Sequence, residues 1–290
     1  MAPSTMPGPW VNPELVEDEP WLTNSGIVKF FEFPVRIPEM SRRAFHLYWQ
    51  RHHSPNVMNV TGFAQFIRKY NSSHIVESHP VKFPPDYDQS HPFEGAAEVW
   101  LNSLREVSDW LSHPLYEELI QPDEPRFIAQ DGRSAILITK EERLYEPNVD
   151  MIENGKIKVY LLFGRKTDVG RNLFHQTLSN HAQEILGEDQ LKSKLLKLVV
   201  SHRLNETNLE LPDTDIDAVL ELWFESLEIA SAFFAEPIYQ HFSKDWEASF
   251  ADTDKIRTFI AIMRVVHDEF SFQPSTTQPL HFNWPNSTRL

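Results

Sequence analysis

The 290-residue chain contains no cysteine. Disulfides, zinc–thiolate sites, iron–sulfur clusters and cysteine nucleophiles are therefore excluded. Basic residues are scarce: 27 Lys and Arg stand against 42 Asp and Glu, a formal net charge of −15. No Lys/Arg cluster offsets that balance, so neither nucleic acid nor an anionic membrane surface is expected as the main partner. No run approaches the roughly 18 apolar residues that read as a bilayer span. The opening stretch MAPSTMPGPWVNPEL has no basic region and no apolar core, and does not read as a secretory signal. HxH and HExxH spacings are both missing, which weighs against a histidine-held metal. Together these absences predict a soluble, cytoplasmic protein with no metal and no cofactor.

The chain is instead rich in aromatic residues. Its 20 Phe and 8 Trp suit a packed core. Two blocks also recur. AEVWLNSLREVSDWLSHPLY begins at Ala97 and LELWFESLEIASAFFAEPIY at Leu220. Glu98 aligns with Glu221, Trp100 with Trp223, Pro114 with Pro237 and Tyr116 with Tyr239, all at an offset of 123 residues. Phe127 and Phe250 keep that offset, as do Asp131 and Asp254. Two histidine pairs, His53…His74 and His181…His202, are each 21 residues apart and related by 128. Two blocks in the same order at nearly the same offset indicate an internal duplication, 25–145 and 155–270. Residues 1–24 and 271–290 do not repeat. They read as a Pro/Trp-rich arm and a tail that wrap the molecule, reach a second subunit in a homodimer, or stay disordered.

Each copy reads as one unit. In the first, GIVKFFEF (26–33) is a strand and a helix opens at Pro38 and Ser41. AQFIRKYNSSHIV (64–76) and GAAEVWLNS (95–103) are strands, SLREVSDWL (103–111) a helix and SAILITKE (134–141) the last strand. The order β-α-β-β-α-β is ferredoxin-like. Such a sheet leaves one face bare, so two units are expected to pack sheet to sheet as a pseudo-dimeric α+β barrel around a cavity. Alternation puts Ala97, Val99 and Leu101 on the helix side and Glu98, Trp100 and Asn102 on the opposite face. Arg68, Tyr70, Ser72 and His74 share a polar face, whereas their counterparts Leu196, Leu198 and Val200 are apolar. The first copy is therefore the better candidate for chemistry. The long loop VESHPVKFPPDYDQSHPFEG is read as a lid over that cavity, with His79 and His91 exposed.

MSRRAFHLYWQRHHSPNV followed by RKYNSSH resembles the EthD-type domain of the dimeric α+β barrel superfamily. The resemblance rests on Phe45, Tyr48, Trp49, His53 with Pro55, Tyr70 and His74. AEVWLNS and PDEPRFI resemble further segments of the same family. The second copy keeps Phe174, His181 and His202 but has Thr177-Leu178 at the Tyr-Trp position. The resemblance implies one of several chemistries: cyclase, dehydratase, cofactor-free monooxygenase, lactone isomerase or haem enzyme.

Histidine suits acid–base work near neutral pH, and a carboxyl in an aromatic-lined cavity can be its partner. The expected catalytic groups are His53, His74, Tyr70 and Glu98. Tyr48, Trp49, Arg68 and Trp100 are the expected substrate contacts, with the tryptophans stacking on a flat ring. Each also has a structural reading: satisfied core histidines, core tryptophans, and Glu98 and Glu221 each paired with an arginine across the barrel. Three functions follow. One is a cofactor-independent lyase, a dehydratase or cyclase of an aromatic or polyketide-like molecule. The others are a cofactor-free monooxygenase of a phenol and a non-catalytic small-molecule-binding protein.

Overall fold

The computed structural model describes residues 26–84, 87–148, 151–204, 209 and 211–270. The expected arm and tail lie outside this range. Strand β1 (Val28–Phe33) leads to α1 (Arg42–Tyr48), where the N-cap Ser41 hydroxyl accepts from the Ala44 amide. A π-helical turn, Trp49–His53, joins α1 to α2 (Ser54–Asn59). A short helix, α3 (Thr61–Ala64), precedes β2 (Lys69–Ile75). Next come β3 (Gly95–Leu101), α4 (Leu104–Leu111) and β4 (Ala135–Tyr145). The second copy runs β5 (Ile157–Phe163), α5 (Arg171–Gly187), α6 (Asp189–Lys192), β6 (Lys197–Arg203), β7 (Ala218–Phe224), α7 (Leu227–Phe234), α8 (Pro237–Phe250) and β8 (Arg257–Ile262). A short β9 (Val265–Asp268) follows.

Serine starts the same helix in both copies. Ser103 accepts from the Glu106 amide and Ser226 from the Ile229 amide, each three residues on. The strand expected from Ala64 begins only at Lys69, because Phe63 and Ile67, four apart, are buried from a helical turn.

The strand order is β4-β1-β3-β2 in the first copy and β8-β5-β7-β6 in the second. Strand β4 pairs with β6, and β2 pairs with β8 and β9, all antiparallel. The two sheets thus meet edge to edge and close an eight-stranded antiparallel barrel. They do not stack across an open gap, and the expected cavity between them is replaced by a filled lumen. At one end Phe31, Phe33, Phe93, Tyr160 and Phe259 pack together. In the middle Lys29 Nζ reaches Glu221 at 2.6 Å, Glu98 at 2.7 Å and Glu141 at 2.9 Å. Lys158 Nζ reaches Glu98 and Glu221 at 2.5 Å each. At the other end Glu153, from the segment between the copies, accepts from Lys69 at 2.6 Å and Lys197 at 2.7 Å.

The long β2–β3 loop is not a lid on the first copy. Its Val81, Phe83 and Tyr87 enter the hydrophobic cluster of the second copy, with Phe83 packed edge-on against Phe234 at 4.7 Å. His91, expected to be exposed, is buried and bonded to the Thr258 carbonyl at 3.1 Å.

Two stability predictions follow from this packing. Lys29→Met strands buried carboxylates and is expected to destabilise by about 3–5 kcal/mol in urea unfolding. Tyr87→Ala opens a hole in the second copy and is expected to cost a similar amount, about 3–5 kcal/mol. Losses below about 1 kcal/mol in the same titrations would show that neither feature is structural.

Candidate active site

Two open spaces lie outside the barrel on the first copy: an outer cleft of about 600 Å³ walled by Tyr48, Asp123 and Arg126, and a smaller, more enclosed cavity between the sheet and its helices. Alternation along β3 sends Ala97 and Val99 to this side and Glu98 and Trp100 into the lumen. A cavity of about 110 Å³ sits there, walled by Phe30, Val99, Trp110, Phe127 and other apolar groups. Its polar lining is Glu32, His53, Tyr70, Tyr116 and Glu124. An engineered apolar cavity of roughly 150 Å³ holds one benzene ring, so this space takes no more than a single ring.

The π turn shapes one wall. The offset between copies is 129 at Lys29/Lys158 and His46/His175 but 128 at His53/His181. The first copy therefore carries one extra residue at that turn, where the second has the uninterrupted α5. Pro55 follows it and lacks the N–H that a regular helix would bond, while Gln183 stands at its counterpart.

Asp123 holds His53 in place. His53 Nδ1 lies 3.0 Å from Asp123 Oδ2, and the Tyr48 hydroxyl donates to Asp123 Oδ1 at 2.5 Å. The His53 bond keeps the Asp123 carboxyl below its ordinary range against burial, and Tyr48 adds to this. A carboxylate on Nδ1 favours the tautomer with its lone pair on Nε2. Two carboxyls line the same chamber as His53. Burial first, and then the nearby Glu124 charge, push Glu32 up to about 8, so it holds its proton at neutral pH. Burial also raises Glu124, which accepts from the Tyr116 hydroxyl at 2.9 Å. A base with an ordered tautomer and a protonated acid thus share one apolar chamber.

The expected site residues divide between chamber, backing and elsewhere. His53, Trp49 and Tyr70 line the chamber, but the Tyr70 hydroxyl is engaged by Trp49 Nε1 at 3.0 Å and Ser54 Oγ at 3.1 Å. Tyr48 lies behind His53, on an outer cleft with Arg51, His52 and Arg126. His74 is packed behind Trp49, at a ring distance of 5.0 Å, and does not line the chamber. Burial, His46 and Arg264 drive it well below the ordinary histidine range. Glu98 does not reach the chamber either. Burial alone would raise it, but Lys158 and Lys29 hold it at about 2, so the expected raised-pKa acid is a permanent carboxylate. Trp100 donates to Glu141 at 3.0 Å inside the lumen, and Arg68 pairs with exposed Glu269 at 3.0 Å. The polar face of β2 therefore packs under the helices instead of lining the lumen.

Glu32, Tyr116, Asp123 and Glu124 were not legible as a site from the chain alone. The signal for two of them is the PDEPRFI turn. For Glu32 it is the lone acid on a Phe-rich strand, where the second copy has Leu161. The second copy has lost the chamber. Trp246 stands at the Asp123 position, and His181 stacks on it at 5.2 Å and 11°. Burial lowers His181 to about 4, and its Nδ1 has no hydrogen-bond partner.

Among the described residues no group of three or more His, Cys, Asp or Glu could hold a metal ion, and no helix is long and apolar enough to cross a membrane. The closed barrel with helices packed on its outer face defines the class as an α+β barrel. Residues 37–131 and 174–254, more than half of the chain, match the EthD domain, and the protein belongs to the EthD domain family. No curated protein matches its sequence. An anthrone oxidase-like protein shares the fold at a TM-score of 0.56 and 10% identity, over 87% of this chain and 98% of that one. A mutant chlorite dismutase from Candidatus Nitrospira defluvii is more distant, at a TM-score of 0.38 and 14% identity over 85% and 94% of the two chains. A heme-binding protein from Thermus thermophilus has a TM-score of 0.39 at 10% identity, over 82% and 91%.

The raised Glu32 makes a pH prediction. Its folded pKa, about 8, exceeds the ordinary 4.5, so its contribution to stability is complete below about 4.5 and lost as pH rises through about 8. Glu32→Gln should therefore be more stable than the parent above pH 8, with the gap closing at pH 5. Equal unfolding midpoints across that range would show Glu32 to titrate normally.

Proposed function

We propose that the chain is a cofactor-independent acid–base enzyme, a dehydratase or cyclase of a one-ring molecule. The observation that carries this reading is the pairing of an Asp-oriented histidine with a protonated carboxyl in one apolar chamber. His53 Nε2 takes a proton from a carbon beside a carbonyl. The electron pair moves to form the double bond and expels a hydroxyl group. That group leaves as water with the proton of Glu32, so His53 ends cationic and Glu32 anionic. Return of the proton from His53 to Glu32 resets the site. Both partners change charge together, so the chamber keeps its net charge through the step. A Glu with a pKa near the working pH is well matched to this role. The volume of about 110 Å³ limits the part of the substrate held in the chamber to one ring.

The EthD family match and the fold shared with an anthrone oxidase-like protein also accommodate oxidation of a phenol. There the carbanion formed by His53 would pass electrons to dioxygen. The test is proton exchange and turnover with one-ring hydroxyketones in D2O, followed by NMR, with an oxygen electrode alongside. His53→Ala and Glu32→Leu should each lower turnover by roughly 100- to 10,000-fold while the fold is retained. Oxygen uptake tied to His53 would replace the lyase reading with oxidation. Wild-type binding with no exchange and no turnover would leave a binding protein.

A further inference from the structure

The second copy carries its own answer to what the chamber binds. At the 123-residue offset, Tyr239 and Glu247 stand where Tyr116 and Glu124 line the first chamber. Between them lies a phenol from the chain itself. The Tyr87 hydroxyl donates to Glu247 and sits 3.2 Å from the Tyr239 hydroxyl. Its ring belongs to the cluster that includes Phe233 and Phe234, the counterparts of the chamber residues Trp110 and Leu111.

The exchange between copies is one-sided. The first copy's loop delivers Tyr87 to the second. The second copy's corresponding loop, LNETNLELPDTDID from Leu204, contains no aromatic residue. It sends Leu204, Leu209 and Leu211 to the first copy's cluster, and none of them lines the chamber. In the first copy Tyr116 donates directly to Glu124 at 2.9 Å, and the cavity beside them has room for one ring.

We infer that the first chamber binds a phenol, with the ring against Trp110 and Leu111 and the hydroxyl on Glu124 and Tyr116, as Tyr87 is held by Glu247 and Tyr239. This rests on the proposal that the chamber is a small-molecule site and names its ligand class. For this the Tyr116 hydroxyl turns from Glu124 to the ligand oxygen, and the ligand hydroxyl donates to the Glu124 carboxyl in its place. The Glu32–His53 side of the chamber then faces the rest of the ligand, and Glu124 serves to position it.

The experiment is titration of the full chain with p-cresol and with toluene by ligand-observed NMR and calorimetry. p-Cresol is expected to bind at least about tenfold more tightly than toluene, because toluene can neither donate to Glu124 nor accept from Tyr116. Tyr116→Phe and Glu124→Leu should each reduce that preference several-fold. Equal binding of the two ligands overturns the inference, as does a preference that survives both substitutions. His53→Ala separates it from the proposed reaction. A p-cresol preference that persists in His53→Ala, with no His53-dependent turnover in the parent, keeps the phenol subsite and removes the acid–base enzyme. Turnover that needs His53, without a p-cresol preference, keeps the enzyme and removes the subsite.

Discussion

Everything else in the molecule depends on how the barrel lumen neutralises its charge. Two lysines, Lys29 and Lys158, face three buried carboxyl groups, and burial pushes one of them, Glu221, above its ordinary range towards the uncharged form. Desolvation of each ion costs several kcal/mol unless partners surround it. Lys29 takes Glu98 and Glu141 from its own copy and Glu221 from the other, and Lys158 also draws one carboxylate from each. Neither half can satisfy its ions alone. The duplication is therefore a condition of burial, and the charge layer commits the lumen to structure. The proposed site lies instead on one of the sheets' outer faces, under the helices.

On those outer faces the copies have parted. The first has Glu32 on β1, Asp123 and Glu124 after α4, and a π turn that adds a residue beside His53. The second replaces Glu32 with Leu161 and Asp123 with Trp246, and fills the rest with Phe83 and Tyr87 from the first copy's loop. One feature of the first copy thus has two effects. Its long loop packs into the second copy and at the same time fills the space there that corresponds to the first copy's chamber.

Much of this was legible. The 123-residue offset, the β-α-β-β-α-β order and the split of β3 into an Ala97/Val99 face and a Glu98/Trp100 face are local patterns of spacing and period. The error on β2 has a physical cause. Tyr70 and His74 are polar, and polarity suggested a lumen cavity, but both are satisfied or stacked beneath helix residues Trp49, Ser54 and His46. The lumen, meanwhile, takes its charge from lysines that single-strand alternation does not distinguish from solvent-facing ones. Nor does any local pattern say that a proline-rich loop will cross to the other copy, because its destination is set by the apolar cleft there. Asp123 lay within a recognisable turn, yet its partnership with His53 spans 70 residues and exists only once the helix packs on the sheet.

Strand β1 ties the structural layer to the candidate chemistry. Lys29 and Phe31 point into the lumen, while Phe30 and Glu32 point to the chamber. Because side chains alternate with a period of two, a one-residue slip would bury Glu32 in the lumen and expel Lys29. The register Lys29↔Trp100 and Phe31↔Glu98 is fixed from the lumen side, where Lys29 has three carboxylates to meet and no alternative position meets them. The same register sets how deeply Glu32 is withdrawn from water and how near it stands to Glu124, the two causes of its raised pKa. The ion network therefore acts on the chamber without touching it: it holds the strand so that the one acid on its outer face, Glu32, sits in the apolar chamber that His53 also lines, where burial and Glu124 raise its pKa.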